Sequence, residues 1–261
     1  CVLPNALQSD PPLEQVVSRT IEAGLRGSFG PKTGWNVSLF RTVNRDDLLF
    51  ISNGLAAGYF TNFGRTLRQG LELGVSQQAG PVAWSASYSY LRATFESSAC
   101  LVSEANSSAE TSANCPGDDE IEVRPGNRLP GLPQHSLKLG LDWQATSEGS
   151  LGAQLRAYSS QVVRGNENNA QQPDGVAFNG AVRIGGFAVL DLTGSWKIGG
   201  GFELFGKVSN VFDRRYASAG LLGENAFDAA GALQAPADWR TEQFVGPGAP
   251  RAAWIGARLS F

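Results

Sequence analysis

Residues 250–261 constrain the fold most tightly. Phe261, Leu259, Ala257, Ile255 and Ala253 fall on one side, and Ser260, Arg258, Gly256, Trp254 and Ala252 on the other. A period of two describes a β-strand whose faces meet different surroundings. An apolar strand at a chain end is an open edge that aggregates unless another strand covers it. Closing the sheet into a barrel removes that edge, and the rest of the sequence supplies strands that could do so.

From Ser18, Ile21, Ala23, Leu25 and Phe29 share one face and Thr20, Glu22, Arg26 and Ser28 the other. After the turn at Gly30–Gly34, Trp35, Val37 and Leu39 alternate with Asn36 and Ser38, and the strand continues to about Ile51. A loop tip is expected at Asn53–Gly58. The same alternation marks strands around Leu71–Val75, Val82–Tyr90, Leu137–Trp143, Leu151–Ala157, Leu190–Ile198 and Phe202–Val208. With the terminal strand this gives about nine. Long polar stretches are expected as loops at about 96–131, 164–183 and 216–249, and residues 1–17, with Pro4, Pro11 and Pro12, as another.

No run approaches the roughly 18–20 apolar residues of a membrane helix. A membrane β-barrel stays open as a reading, because its alternating strands dilute their hydrophobicity. Turns are short near Gly30, Gln78, Thr146 and Gly200, and long at the opposite strand ends, as in outer-membrane barrels. Trp35, Trp84, Trp143 and Trp196 sit on apolar faces near strand ends, where an interfacial girdle would lie. The polar faces carry Glu22, Arg26, Glu72, Lys138, Asp142, Arg156, Asp191, Lys197, Glu203, Lys207 and Arg258, which are candidates to face a water-filled or plugged lumen. A secreted β-sandwich with that face outward is the competing architecture.

Net charge is −3, so nucleic acid has no electrostatic claim as a partner. Cys100 and Cys115, in a polar segment, suggest a disulfide formed in an oxidising compartment. The one histidine, His135, lies beside a strand start, and three cysteines are too scattered for a zinc site. Gly199-Gly200-Gly201 precedes a strand rather than a helix and cradles no phosphate. No enzyme activity and no cofactor is therefore expected. The chain contains no methionine and begins at Cys1 without an apolar leader, so it is expected to be a piece of a longer protein.

Lys207-Val-Ser-Asn-Val-Phe-Asp-Arg-Arg-Tyr216 resembles the Asn-Leu-Phe-Asp-x-x-Tyr stretch of TonB-dependent outer-membrane receptors, placing Asn210, Phe212, Asp213 and Tyr216 in the motif. Pro247-Gly-Ala-Pro250-Arg251 and the terminal Phe261 are similar to that family's Pro-Gly-x-Pro-Arg and closing aromatic. Asn62-Phe63-Gly64 with Gly70–Leu73, Leu129–His135 and Ser18–Gly24 resemble further elements in the family's order. The Pro-Glu that precedes the Ser-x-x-x-Glu strand in the family is only approximated by Pro12-Leu13-Glu14.

The resemblance implies an all-β, antiparallel transmembrane barrel of about 22 strands around a plug, of which this chain (1–261) would be about the last nine, with plug and TonB box absent. An odd number of antiparallel strands cannot close a ring alone, so the terminal strand's outer partner is expected in the missing half. The function implied is energised uptake of a scarce nutrient, a ferric siderophore foremost, across the outer membrane of a Gram-negative bacterium. A passive porin-like channel or a barrel adhesin is the alternative. Implied partners are outer-membrane lipid, the barrel-assembly machinery reading Phe261, and the TonB complex through the missing N-terminal region.

Overall fold

The computed structural model describes residues 11–52, 58–109 and 111–261. Residues 53–57 of the expected loop tip and most of the expected 1–17 loop lie outside the described residues, as does Cys1.

Among the described residues nine strands form one antiparallel sheet. They are β1 (Val17–Ser28), β2 (Thr33–Ser52), β3 (Gly58–Ala79), β4 (Val82–Phe95), β7 (His135–Gln144), β8 (Gly149–Tyr158), β11 (Phe187–Gly199), β12 (Phe202–Ser209) and β15 (Ala252–Leu259), in that spatial order. Three small hairpins stand apart: β5 (Ala99–Val102) with β6 (Glu120–Val123), β9 (Gln161–Val162) with β10 (Arg183–Ile184), and β13 (Ala217–Asn225) with β14 (Arg240–Pro247). The polar stretches expected as plain loops at 96–131 and 216–249 therefore hold strands of their own, while the one at 164–183 is bracketed by β9 and β10. Their backbone groups need partners once the segments pack on one another, and local hairpins supply them.

Sequence-adjacent strands pair throughout the sheet, either through short turns or across the long segments at its other end. β1 and β15 are its two edges and run in the same direction. Phe202 pairs with Leu259, so the terminal strand lies beside β12 as its alternation requires. β2 and β3 are paired from Thr33–Gln77 to Ser52–Gly58 and outrun their neighbours at the long-connection end.

Registers fix which side chains share a face, since directly opposed residues of an antiparallel pair point the same way. One face runs Leu25–Val37–Leu73–Tyr88–Leu137–Ala157–Ala188 across seven strands. This apolar face is exposed over much of its area: Ile21 is 78% and Ile255 84% accessible. An apolar face this large, left uncovered, belongs in lipid or under another layer. Trp35, Trp84, Trp143 and Trp196 all lie on it at the short-turn end, and Trp35 and Trp196 cover Gly27 and Gly149 directly opposite. A side chain at either glycine would enter the indole, which explains their identity at these two positions.

Candidate ligand-binding surface

The opposite face of the sheet is charged. Arg26 faces Asn36, Glu72 lies between Ser38 and Ser89, Lys138 faces Arg156, and Asp142 faces Gly152. Lys197 faces Glu203, which in turn faces Arg258, while Asp191 faces Gln154, Lys207 faces Trp254 and Glu22 faces Phe40. These registers place every charged candidate named from the sequence on one side. Phe40, Phe205 and Trp254 share that side, so it is not uniformly polar.

Asp191 is the electrostatic centre of this face. Its buried carboxylate accepts a 2.8 Å bond from Arg156 Nη2, lies 3.6 Å from Lys207 Nζ, and accepts the Asn210 backbone N–H at 2.9 Å. Farther along, Arg258 Nη1 lies 3.6 Å from Glu203 Oε2. A carboxylate held by two cations and an amide is satisfied although nearly out of water.

Asn210 leads from this cluster into the motif. It is buried and left-handed, with φ 49°, a conformation asparagine tolerates better than most residues. Its Nδ2 donates to the carbonyls of Arg214 (2.9 Å) and Ala249 (3.0 Å), and its Oδ1 accepts the Arg214 N–H at 2.8 Å. Asp213, also left-handed, accepts the Arg251 N–H at 3.0 Å, beside Pro250. Tyr216 stacks on Phe187 at 4.3 Å, and Gly248 lies so close to the Tyr216 ring that no side chain would fit there. The motif thus pins the exit of β12 to the entry of β15. Phe212 and Phe261 are exposed.

At the long-connection end three segments knit into one roof. Cys100 and Cys115 are joined by a disulfide. Beside it Phe63, Phe95, Leu101, Ile121 and Val123 form a small core. Ser103 Oγ and Asn106 Nδ2 both donate to the Gly165 carbonyl at 2.7 Å, and Gln171 Oε1 accepts the Ser107 N–H at 2.7 Å. The third segment joins through Arg164 N–H to the Gly220 carbonyl (3.0 Å) and Gln161 Nε2 to the Ser218 carbonyl (2.8 Å). Asparagine and glutamine suit this role because each carries both donors and an acceptor.

Under the roof lies a cleft of about 470 Å³, walled by Leu48, Leu49, Phe50, Leu101, Leu221 and Leu222 and carrying Arg68, Glu104, Arg164 and Glu167. A largely apolar wall with a few ionisable groups is the usual make-up of a ligand pocket. Desolvation raises the Glu104 carboxyl above its ordinary range, helped by Glu224 and Asp119. Desolvation also raises Glu167, against the opposing hydrogen bond from the Gly165 amide. None of these four residues stands out in the sequence. They lie in three different segments, and only the folded roof brings them together. His135 instead belongs to the strand wall: its Nδ1 is 2.7 Å from Tyr88 Oη, and its ring lies 5.3 Å from that of Tyr90.

Residues 3–211 match the family model described as TonB dependent receptor-like, beta-barrel. The ferric enterobactin receptor of Pseudomonas aeruginosa is 31% identical over 108 residues, covering 41% of this chain and 14% of that protein. Among solved structures, the siderophore receptor PiuA from Acinetobacter baumannii aligns with TM-score 0.62 at 15% identity, covering 92% of this chain and 28% of that one. The ferric yersiniabactin uptake receptor FyuA from Yersinia pestis aligns with TM-score 0.61 at 19% identity, covering 94% and 30%. The chain thus spans less than a third of these relatives. An open antiparallel sheet with one apolar and one charged face, roofed by its long connections, agrees with the sequence match: the chain belongs to the TonB-dependent receptor β-barrel family.

Proposed function

We propose that this chain is the C-terminal part of the barrel of an outer-membrane receptor that imports a ferric siderophore, driven by the TonB complex through a region N-terminal to it. The charged face lines the lumen, the apolar face meets lipid, and the roofed cleft is part of the ligand's landing site. The observation that carries this reading is the cleft itself, where apolar side chains and four ionisable groups meet at the long-connection end, with Arg68 on the same side of β3 as Glu72. Arg164, and Arg68 beyond its ion pair with Asp47, suit an anionic ferric chelate. Glu104 and Glu167 complete the cleft's ionisable lining. The relatives named above as receptors for ferric enterobactin, siderophores and ferric yersiniabactin support the ligand class.

A deletion strain grown under iron limitation is expected to lose growth on one defined ferric siderophore and to keep growth on others. Complementation by the full-length gene restores growth only when TonB is present. Uptake that persists without TonB would return the chain to the passive-channel alternative, and loss of a non-iron nutrient would overturn the ligand class.

Phe261, exposed just past the end of β15, is the residue the assembly machinery reads in this proposal. Its deletion from the full-length protein is expected to lower the outer-membrane level several-fold on immunoblots, and an unchanged level would remove that role.

A further inference from the structure

Among the described residues, the apolar face carries charge in one region. By register, Arg19, Arg41, Arg45, Arg65 and Arg92 all point to the side of Leu25, Val37 and Tyr88, and all five belong to β1–β4. Asp47 follows Arg45 by two residues on β2 and has the same register parity, but its carboxylate is taken up by Asn44, Thr66 and Arg68; among the described residues of the nine strands, these registers place no other aspartate or glutamate on that side. Arg41, Gln69 and Arg92 form one row, Arg19 lies in the next, and Arg45 faces Arg65 directly in the row beyond. Arg128, paired through its backbone with Thr94 just past Arg92, is partly buried and stands apart from these five.

The patch sits at the end opposite the tryptophans. From Trp84 to Arg92 is eight residues, about 26 Å along the strand and less once the strand is inclined, close to the roughly 25 Å apolar band of a membrane barrel. Between them Tyr88 and Tyr90 occupy the rows just below the arginines. The guanidinium groups therefore lie where hydrocarbon gives way to headgroups, on the side of the long connections.

They also lack partners among the described residues. The five strand arginines are exposed, and none of their side chains makes an ion pair or hydrogen bond with the described residues. Glu96, just past β4, accepts a hydrogen bond from Thr94 and forms no ion pair with them. Like charges directly opposite on a strand pair, as at Arg45 and Arg65, are destabilising by themselves. An anion shared between them reverses the sign, and planar guanidinium groups grip phosphate oxygens in pairs.

We propose that this arginine patch binds the phosphorylated headgroup of an outer-leaflet lipid, one bearing more than one phosphate, against the outside of β1–β4. The proposal rests on the membrane reading above. The lipid fixes the depth and rotation of this wall, and it supplies the anion that lets Arg45 and Arg65 stand side by side. A free phosphate ion offers the same oxygens but no acyl chains to lie along Leu25, Leu39 and Leu71 below the patch, so the lipid is the occupant.

The test uses the full-length receptor extracted from native outer membrane in mild detergent, with bound phosphorylated saccharolipid measured by mass spectrometry. R41Q/R45Q/R65Q/R92Q is expected to retain at least about tenfold less lipid than wild type, and the matching lysine set an intermediate amount, since lysine binds phosphate only as a point charge. Reconstituted wild-type protein should bind the bis-phosphorylated lipid in preference to its dephosphorylated form, and millimolar inorganic phosphate should not displace it. Equal retention by wild type and the glutamine variant, or retention indifferent to the lipid's phosphates, overturns the proposal. If the quadruple variant does not assemble, as judged by heat-dependent gel mobility, R45Q/R65Q is read instead. A threefold or greater loss of lipid from that pair supports the proposal, and none overturns it. Release of wild-type protein without detergent would overturn the membrane reading itself, and this proposal with it.

Discussion

Replacing Asn210 with alanine in the full-length receptor is expected to destabilise the barrel by about 2–3 kcal/mol and to cut its outer-membrane level several-fold. Three side-chain hydrogen bonds are lost, each worth roughly 1 kcal/mol net. Alanine must also hold a left-handed backbone, at a cost of about 1–2 kcal/mol. Arg214 and Ala249 are exposed, so water can replace part of what they lose, which holds the total below the simple sum. The origin of the effect can be separated with two further variants. Asn210→Gly keeps the backbone conformation and loses only the hydrogen bonds, so it should be milder than alanine. Asn210→Asp keeps the acceptor for the Arg214 N–H but turns a carboxylate toward two carbonyls, with Asp191 already bonded to the same residue's amide. It should be at least as damaging as alanine. The measurement is the urea midpoint for loss of the heat-modifiable folded band. A glycine variant as unstable as alanine would show that the hydrogen bonds, not the backbone, carry the cost.

The second large effect is expected at the roof. Removing the Cys100–Cys115 bond by substituting serine at both positions frees a loop of 15 residues, for which chain entropy alone predicts about 3 kcal/mol. That loss is local. β5 and β6 pack on Phe63 and Phe95 rather than extending the main sheet, so the nine strands need not feel it. The hairpin also carries Leu101 and Glu104 in the cleft wall, and Ser103 and Asn106 bind it to Gly165. Ligand affinity should therefore fall by about tenfold while the outer-membrane level is unchanged, and protease should cut between 103 and 119 in the variant alone. Unchanged affinity with new cleavage would separate the hairpin from the binding site.

The strands were legible in the sequence because each meets two environments. Val82–Tyr90 alternates for nine residues because Ala86, Tyr88 and Tyr90 meet Val75, Leu73 and Leu71 on one side, while Ser85, Ser87 and Ser89 meet Ser76, Gly74 and Glu72 on the other. The hairpin of β13 and β14 carried no such signal. Leu221 and Leu222 are adjacent, Leu221 exposed and Leu222 buried in the roof, and Phe244–Val245 are both exposed, so no period of two survives. The cleft was illegible for a different reason: Arg68, Glu104, Arg164 and Glu167 meet only through contacts between distant segments. The arginine patch lay between these cases. Each arginine is visible in its own strand, but Arg45 and Arg65 become opposed only once the β2–β3 register is known.

The four tryptophans at the short-turn end also serve as a plumb line. The pairing row through Trp35 crosses β4 at Ala86, two residues from Trp84. The row through Trp84 crosses β7 at Leu141, two residues from Trp143, and the row through Trp143 crosses β11 at Gly194, two from Trp196. Every step slips the same way, for a total of six residues across five strand spacings. If the indoles mark one depth, a rise of about 3.3 Å per residue and a spacing of about 4.8 Å incline the strands by about 40° to the membrane normal. A ring of roughly 22 strands so inclined would measure roughly 44 Å across, backbone to backbone. On the proposed membrane reading, these indoles would therefore report the bore of the finished barrel as well as its depth.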